Sequence, residues 1–198
     1  VFTLSHTMGV KALGGEYRYN FTEAGIYKRF WMNSWGKIDA YVKAGAQWNR
    51  VPYPLLIMPA ANLSYIIEAE TFNMINNMEF LNDRYASLDV SDLNGKLFNR
   101  IPLLKKLKWR EYVGVKVLWG KLTDKNNPYL PENAGSNILM QFPEGCYTMN
   151  PHRPYVEWVA GIHNIFKILH VEFVHRCNYT YLPTAKRNGV RLMLRLTF

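Results

Sequence analysis

The chain has 198 residues, 48% hydrophobic and 15% aromatic, with 24 lysines and arginines against 15 acids and a net charge of +9. That length accommodates one ordinary domain or one part of a larger one, and 6 Trp, 13 Tyr and 10 Phe are far too much buriable surface for a disordered chain. No apolar run approaches the roughly 18 residues of a membrane helix, because the greasiest stretch, Pro54–Ala61, is short and holds Pro54 and Pro59. Two cysteines, Cys146 and Cys177, exclude a disulfide scaffold or a four-cysteine zinc module. What remains is an aromatic-rich β-protein, soluble or embedded in an outer membrane. Its first residues, VFTLSH, read as the middle of a strand, so the chain is expected to be a piece of a longer protein whose leader lies upstream.

Alternation predicts eight strands, near 1–6, 16–32, 36–48, 84–95, 109–121, 154–165, 168–180 and 189–198. In the third, Ile38, Ala40, Val42, Ala44, Ala46 and Trp48 oppose Lys37, Asp39, Tyr41, Lys43 and Gln47. In the fifth, Trp109, Val113, Val115, Val117 and Trp119 oppose Arg110, Tyr112, Gly114, Lys116 and Gly120. In the last, Val190, Leu192, Leu194, Leu196 and Phe198 oppose Arg191, Met193, Arg195 and Thr197. One face is greasy, the other charged. A soluble sandwich alternates too, so the connections must discriminate. They are tight at 33–35 and 166–167, intermediate at 96–108, and long at 49–83 and 122–153. Short turns at one end and long loops at the other are the asymmetry of a membrane barrel, with periplasmic turns and external loops. The expectation is therefore a transmembrane antiparallel β-barrel, with Trp48, Trp109, Trp119, Tyr179 and Phe198 in its interfacial girdles. Eight strands closed alone would leave no room for loop 49–83, so the sheet is expected to be open and completed by other residues. That loop carries Leu55, Leu56, Ile57, Ile66, Ile67, Phe72 and Phe80, which should not float in solvent; it should fold inward or dock on a partner.

Chemistry-bearing groupings are sparse. His170 and His175 fall on opposite faces of one strand, and no histidine pair has ligand spacing beside an acid, so no metal or other cofactor is expected. There is no G-x-S-x-G, and Ser64, Ser87 and Ser91 lack a histidine at a meaningful position, so no catalytic residue is expected. The basic run Leu103–Arg110 has no interleaved aromatic recognition motif, which argues against a nucleic-acid partner. Cys146 and Cys177 would both lie at the oxidising end, paired or free.

The ending RLMLRLTF, with Leu194, Leu196 and Phe198 on the greasy face, resembles the final strand by which bacterial outer-membrane barrels are recognised by their assembly machinery. The stretch Phe72–Tyr112 (FNMINNMEFLNDRYASLDVSDLNGKLFNRIPLLKKLKWREY), with VPYPLL before it and YVEWVAGIHNIFKILHVEFVHR after it, resembles the C-terminal barrel of a Bacteroidota outer-membrane family. Those proteins carry an N-terminal carboxypeptidase-regulatory-like domain, and most have no assigned function. That barrel is in turn similar to the outer-membrane assembly-factor and two-partner-secretion superfamily, whose barrel has sixteen strands, so residues 1–198 would be its C-terminal half. In that superfamily the loop corresponding to 49–83 folds into the lumen and carries an Arg–Gly–aromatic motif. NDRY (Asn82–Tyr85) stands in its place, without the glycine, and Leu118 stands where the partner aspartate would be. The resemblance implies a latch in which Arg84, with Asp83 and Tyr85, meets a lumen acid: Glu157 first, Glu172 second.

The resulting expectation is a non-enzymatic barrel of the bacterial outer membrane that belongs to, or is related to, a membrane protein complex for protein assembly or export. Its partners would be the lipid bilayer and its lipopolysaccharide, other outer-membrane or periplasmic assembly proteins, and the remainder of the barrel. The alternatives are an accessory scaffold barrel in a surface complex and a lipid-modifying barrel enzyme.

Overall fold

A computed structural model describes residues 1–10, 12, 14–32, 36–94, 98 and 100–195. The chain is all-β apart from short helical turns. Its strands are β1 (Phe2–Gly9), β2 (Tyr19–Trp31), β3 (Lys37–Gln47), β4 (Arg84–Asn94), β5 (Arg110–Lys121), β6 (Tyr155–Ile165), β7 (Leu169–Arg176) and β8 (Asn188–Leu194). They form a single antiparallel sheet in chain order. The sheet is open: β1 pairs only with β2 among the named strands, and β8 only with β7. The tight link expected at 33–35 lies outside the described residues. The one at 166–167 is as tight as expected, with Phe166 and Lys167 both at positive φ (51° and 66°), the pairing that matches the twist of adjoining strands.

The strands differ from the sequence reading by up to a few residues at their ends, as where β1 runs on to Gly9 and β2 begins at Tyr19. The seventh strand stops at Arg176 rather than 180, because the Arg176 side chain bonds back to the carbonyls of Asn178 and Tyr179, and Tyr179 turns the chain at φ 54°. The link 96–108 contains a one-turn helix, α1 (Pro102–Leu107). Pro102 supplies the preset first helical φ, and Lys108 ends the helix in the left-handed region.

The two faces of the sheet differ in what covers them. On one face loop 49–83 lies across the strands and buries Lys116, Glu157, Glu172, Arg176 and Arg191 together with Leu118, Tyr155, Val159 and Val174. On the other face nothing among the described residues covers the apolar row: Val113 is 54% exposed, Val115 41% and Val190 48%, and Val42, Leu88, Trp158 and Phe173 are also open. Trp48, at the long-loop end, is exposed on that bare face. Trp119 is half-buried, its indole N–H donating to the Pro151 carbonyl, and Trp109 is half-buried at the opposite end. Tyr179 is not a girdle residue: it is buried against Phe80 beneath the loop, because the chain has left the strand before reaching it. Phe198 lies outside the described residues.

Hydrophobic packing is concentrated between loop and sheet, where Phe72, Ile75 and Phe80 meet Leu118, Met149, Tyr155, Tyr179 and Leu182. A second cluster, Val51, Leu56 and Leu81, closes the long-loop end. Glycine is required at one crossing, since a Cβ on Gly161 would stand 2.6 Å from the Val171 carbonyl oxygen, which is backbone and cannot swing away. At Gly114 the nearest atom would be at 3.5 Å, an ordinary contact. Gly161→Ala is expected to destabilise the sheet by about 1–3 kcal/mol while Gly114→Ala stays within about 0.5 kcal/mol, measured as the shift in urea unfolding midpoint at constant slope.

Candidate functional site

The distinctive chemistry of the chain is the set of buried charges that hold loop 49–83 on the sheet. A charge removed from water must be neutralised or fully hydrogen-bonded, and here much of the compensation comes from the loop's own backbone. Glu157, on β6, accepts from the backbone N–H of Asn73 (2.9 Å) and Met74 (3.0 Å) and from the Tyr155 hydroxyl (2.8 Å). Two successive loop amides thus point at one carboxylate, the arrangement of an anion nest. Arg176, on β7, is fully buried: it pairs with Glu79 (2.5 Å) and donates to the carbonyls of Met74, Asn178 and Tyr179. The rings of Tyr155 and Phe80 flank its guanidinium at 5.0 and 5.9 Å. Arg191, on β8, donates to the carbonyls of Asn62 and Asn73, and Lys116, on β5, to Thr71 O (2.5 Å) while facing Asp89 at 3.4 Å. Loop residues 62–79 are therefore clamped from β5, β6, β7 and β8.

The ion pair implied by the resemblance, Arg84 with Glu157 or Glu172, is not formed. Arg84 is exposed on the bare face, its guanidinium 5.9 Å from the Trp48 ring, and does not meet Glu157 or Glu172. Alternation explains this, since β4 turns Tyr85, Ser87 and Asp89 towards the loop and Arg84, Ala86 and Leu88 away from it. Asp83 is fully buried and fastens the long-loop end, accepting from Thr123 N–H (3.0 Å), the Thr123 hydroxyl and the Asn126 side chain (2.9 Å). Tyr85 donates to Glu23 (2.5 Å). Glu172 is bonded to His163 (2.9 Å), whose ring stacks on Tyr112 at 4.6 Å. Of the terminal trio, Leu194 is exposed on the bare face, and Leu196 and Phe198 lie outside the described residues.

Arg176, Glu79, Lys116 and Arg191 are the clamp residues that sequence reasoning did not single out. Their signal was present: a polar strand face opposite an apolar one, and a long apolar loop with nowhere else to bury. Between the loop and β2–β4 lies a cavity of about 310 Å3 lined by Tyr19, Phe21, Glu23, Lys43, Glu70 and Tyr85. Lys43 is paired with Glu70 there and Glu23 with Tyr85, so its charges are mutually satisfied. Among the described residues no three His, Cys, Asp or Glu side chains are grouped to hold a metal. Both cysteines are free thiols, and burial pushes the Cys146 thiol up from its ordinary value.

Arg176→Ala leaves Glu79 buried without its counter-ion, held only by the Asn76 backbone and side-chain N–H groups, and is expected to cost about 3–5 kcal/mol and to make residues 62–79 sensitive to limited proteolysis. The double change Arg176→Met with Glu79→Gln removes the stranded charge and should recover a large part of that loss. Arg84→Ala, on the other face, should alter neither reading.

No curated protein and no solved structure matches the chain. A family model does: residues 1–135 match the C-terminal domain of the family of unknown function DUF5686, a span that takes in β1 to β5 and the whole clamped loop. The chain belongs to that family.

Proposed function

We propose that the chain is the wall of a bacterial outer-membrane β-barrel, its bare face against lipid and its charged face towards a lumen occupied by loop 49–83. The reading rests on one observation, the inversion in which Glu157 and Arg176 are fully buried while Val113 and Val115 of β5 are about half exposed. In water that pattern is unfavourable twice over, because it leaves a broad apolar face wet and dries charges. In a bilayer the same pattern is favourable: alternate residues meet hydrocarbon, and the opposite set meets polar contents. The exposed indole of Trp48 at one end of that face suits the headgroup level.

An open eight-stranded sheet requires completion, so the remainder of a sixteen-stranded barrel is part of the proposal. The biochemical role we assign is non-enzymatic participation in assembly or export of outer-membrane proteins, in which an incoming strand pairs with a sheet edge. Bacteroidota provenance, an N-terminal carboxypeptidase-regulatory-like domain, and lipopolysaccharide and periplasmic assembly proteins as partners belong to this reading. A second reading, an accessory scaffold in a surface complex, is favoured by the order of loop 122–153. Buried Asn126 and Asn133 bond it to Val51, Arg50 and the carbonyls of Asn49, Asp124 and Asn127, which gives the external end a rigid surface.

Two measurements test these ideas. Val115→Arg on the bare face should cost about 2–4 kcal/mol in folding into lipid vesicles and leave folding unchanged if that face is wetted by water. Depletion of the full protein in its host, read by quantitative proteomics of outer-membrane fractions, should lower several unrelated barrel proteins together. Loss of one surface complex with the other barrels intact would favour the scaffold.

A further inference from the structure

The edge of β8 that faces away from β7 already has an occupant. Leu192 directs both backbone polar groups outward: its N–H donates to Tyr65 O (2.7 Å), and its carbonyl accepts from Ile67 N–H (2.9 Å). Ile66 thus stands opposite Leu192 in a parallel bridge. The same short segment is tied to β8 from the covered face, where Arg191 donates to the carbonyls of Asn62 and Asn73 on the two limbs of the loop. Leu63, Tyr65 and Ile66 nevertheless remain exposed, beside Val190, Leu192 and Leu194.

The contact uses little of what the edge offers. Outward groups recur at every second residue of an antiparallel strand, so Val190 and Leu194 present theirs in the same direction as Leu192. Among the described residues the loop tip takes the pair at Leu192 alone, and the Val190 carbonyl accepts from the Arg191 guanidinium (3.1 Å), a side-chain contact that an incoming strand would also replace. An open edge of this kind is a template for another strand, and proteins protect such edges by covering them.

We propose that Leu63–Ile67 is a built-in, displaceable occupant of the β8 edge, and that a strand joining the sheet at β8 does so by replacing it. The partner that fits is an extended segment with apolar residues at alternate positions, running antiparallel to β8. It would engage Val190, Leu192 and Leu194 together and continue the apolar face. Two hydrogen bonds are enough to exclude casual pairing and few enough to be exchanged for a longer ladder. The class of partner rests on the strand-pairing role proposed above; the tip contact is a local property of this chain.

The test uses the whole chain in detergent micelles and a fluorescein-labelled peptide of the β7 sequence, LHVEFVHR, which is the strand already antiparallel to β8 in the sheet. Ile67→Pro deletes the N–H that bonds Leu192. A second form carries Ile66→Cys and Leu192→Cys with Cys146→Ala and Cys177→Ala; bridged residues sit about 4.8 Å apart, within disulfide reach. The oxidised pair should not bind peptide, the reduced pair should, and Ile67→Pro should bind about tenfold more tightly than wild type. Hydrogen exchange in the wild type should be slower at the Leu192 amide than at Val190 and Leu194, and should accelerate in Ile67→Pro. Equal exchange at the three amides would overturn the tip contact itself. Peptide binding that is undiminished by the disulfide, or not strengthened by Ile67→Pro, would overturn displacement. Failure of every form to bind, with the exchange pattern as expected, would instead defeat the strand-pairing role on which the partner rests.

Discussion

Everything in this molecule is organised around buried charges that cannot be left alone. Glu157, Arg176, Arg191 and Lys116 lie on one face of the sheet, and each meets the backbone of one loop, with Arg176 bonded also to the Glu79 carboxylate and to the carbonyls of Asn178 and Tyr179. Drying a charge costs several kcal/mol even after relaxation; only a partner with fixed geometry offsets that cost. The loop therefore has to adopt a single path, because its amides at 73 and 74 must meet Glu157 while its carbonyls at 71, 73 and 74 meet cations. Apolar packing by Phe72, Ile75 and Phe80 supplies the area, and the charges supply the register.

The consequence reaches the opposite face. Alternation gives every strand two faces, and if one is spent on charges and a loop, the other carries the aliphatic residues. Val113, Val115 and Val190 are left with no cover from the described residues. The same arrangement that makes the covered face self-sufficient makes the bare face dependent on an apolar surrounding.

The strands, their order and the identity of the two faces were legible in the residues. Val190, Leu192 and Arg191 alternate so strictly that their facing could be read directly, and the expected eight strands agree with the observed ones to within a few residues except at the seventh. The apolar content of the long loop required it to fold inward or dock on a partner, and only the structure places it on the polar face. The clamp was legible only in part. Glu157 could be placed on the polar face by parity, but Arg84 was assigned by resemblance to the inside when its own parity in β4 turns it outward.

Local pattern thus determines which backbone segments are strands and which side of each is greasy, because a period of two is a property of the chain itself. It cannot determine which charge meets which, since Arg176 and Glu79 are 97 residues apart and the backbone amides that serve Glu157 carry no signature in the side-chain sequence. Nor does it place Ile66 on the edge of β8, a contact made by backbone groups that every residue shares. Those pairings arise only when the loop crosses the sheet and each buried polar group must find the partner that geometry brings within reach.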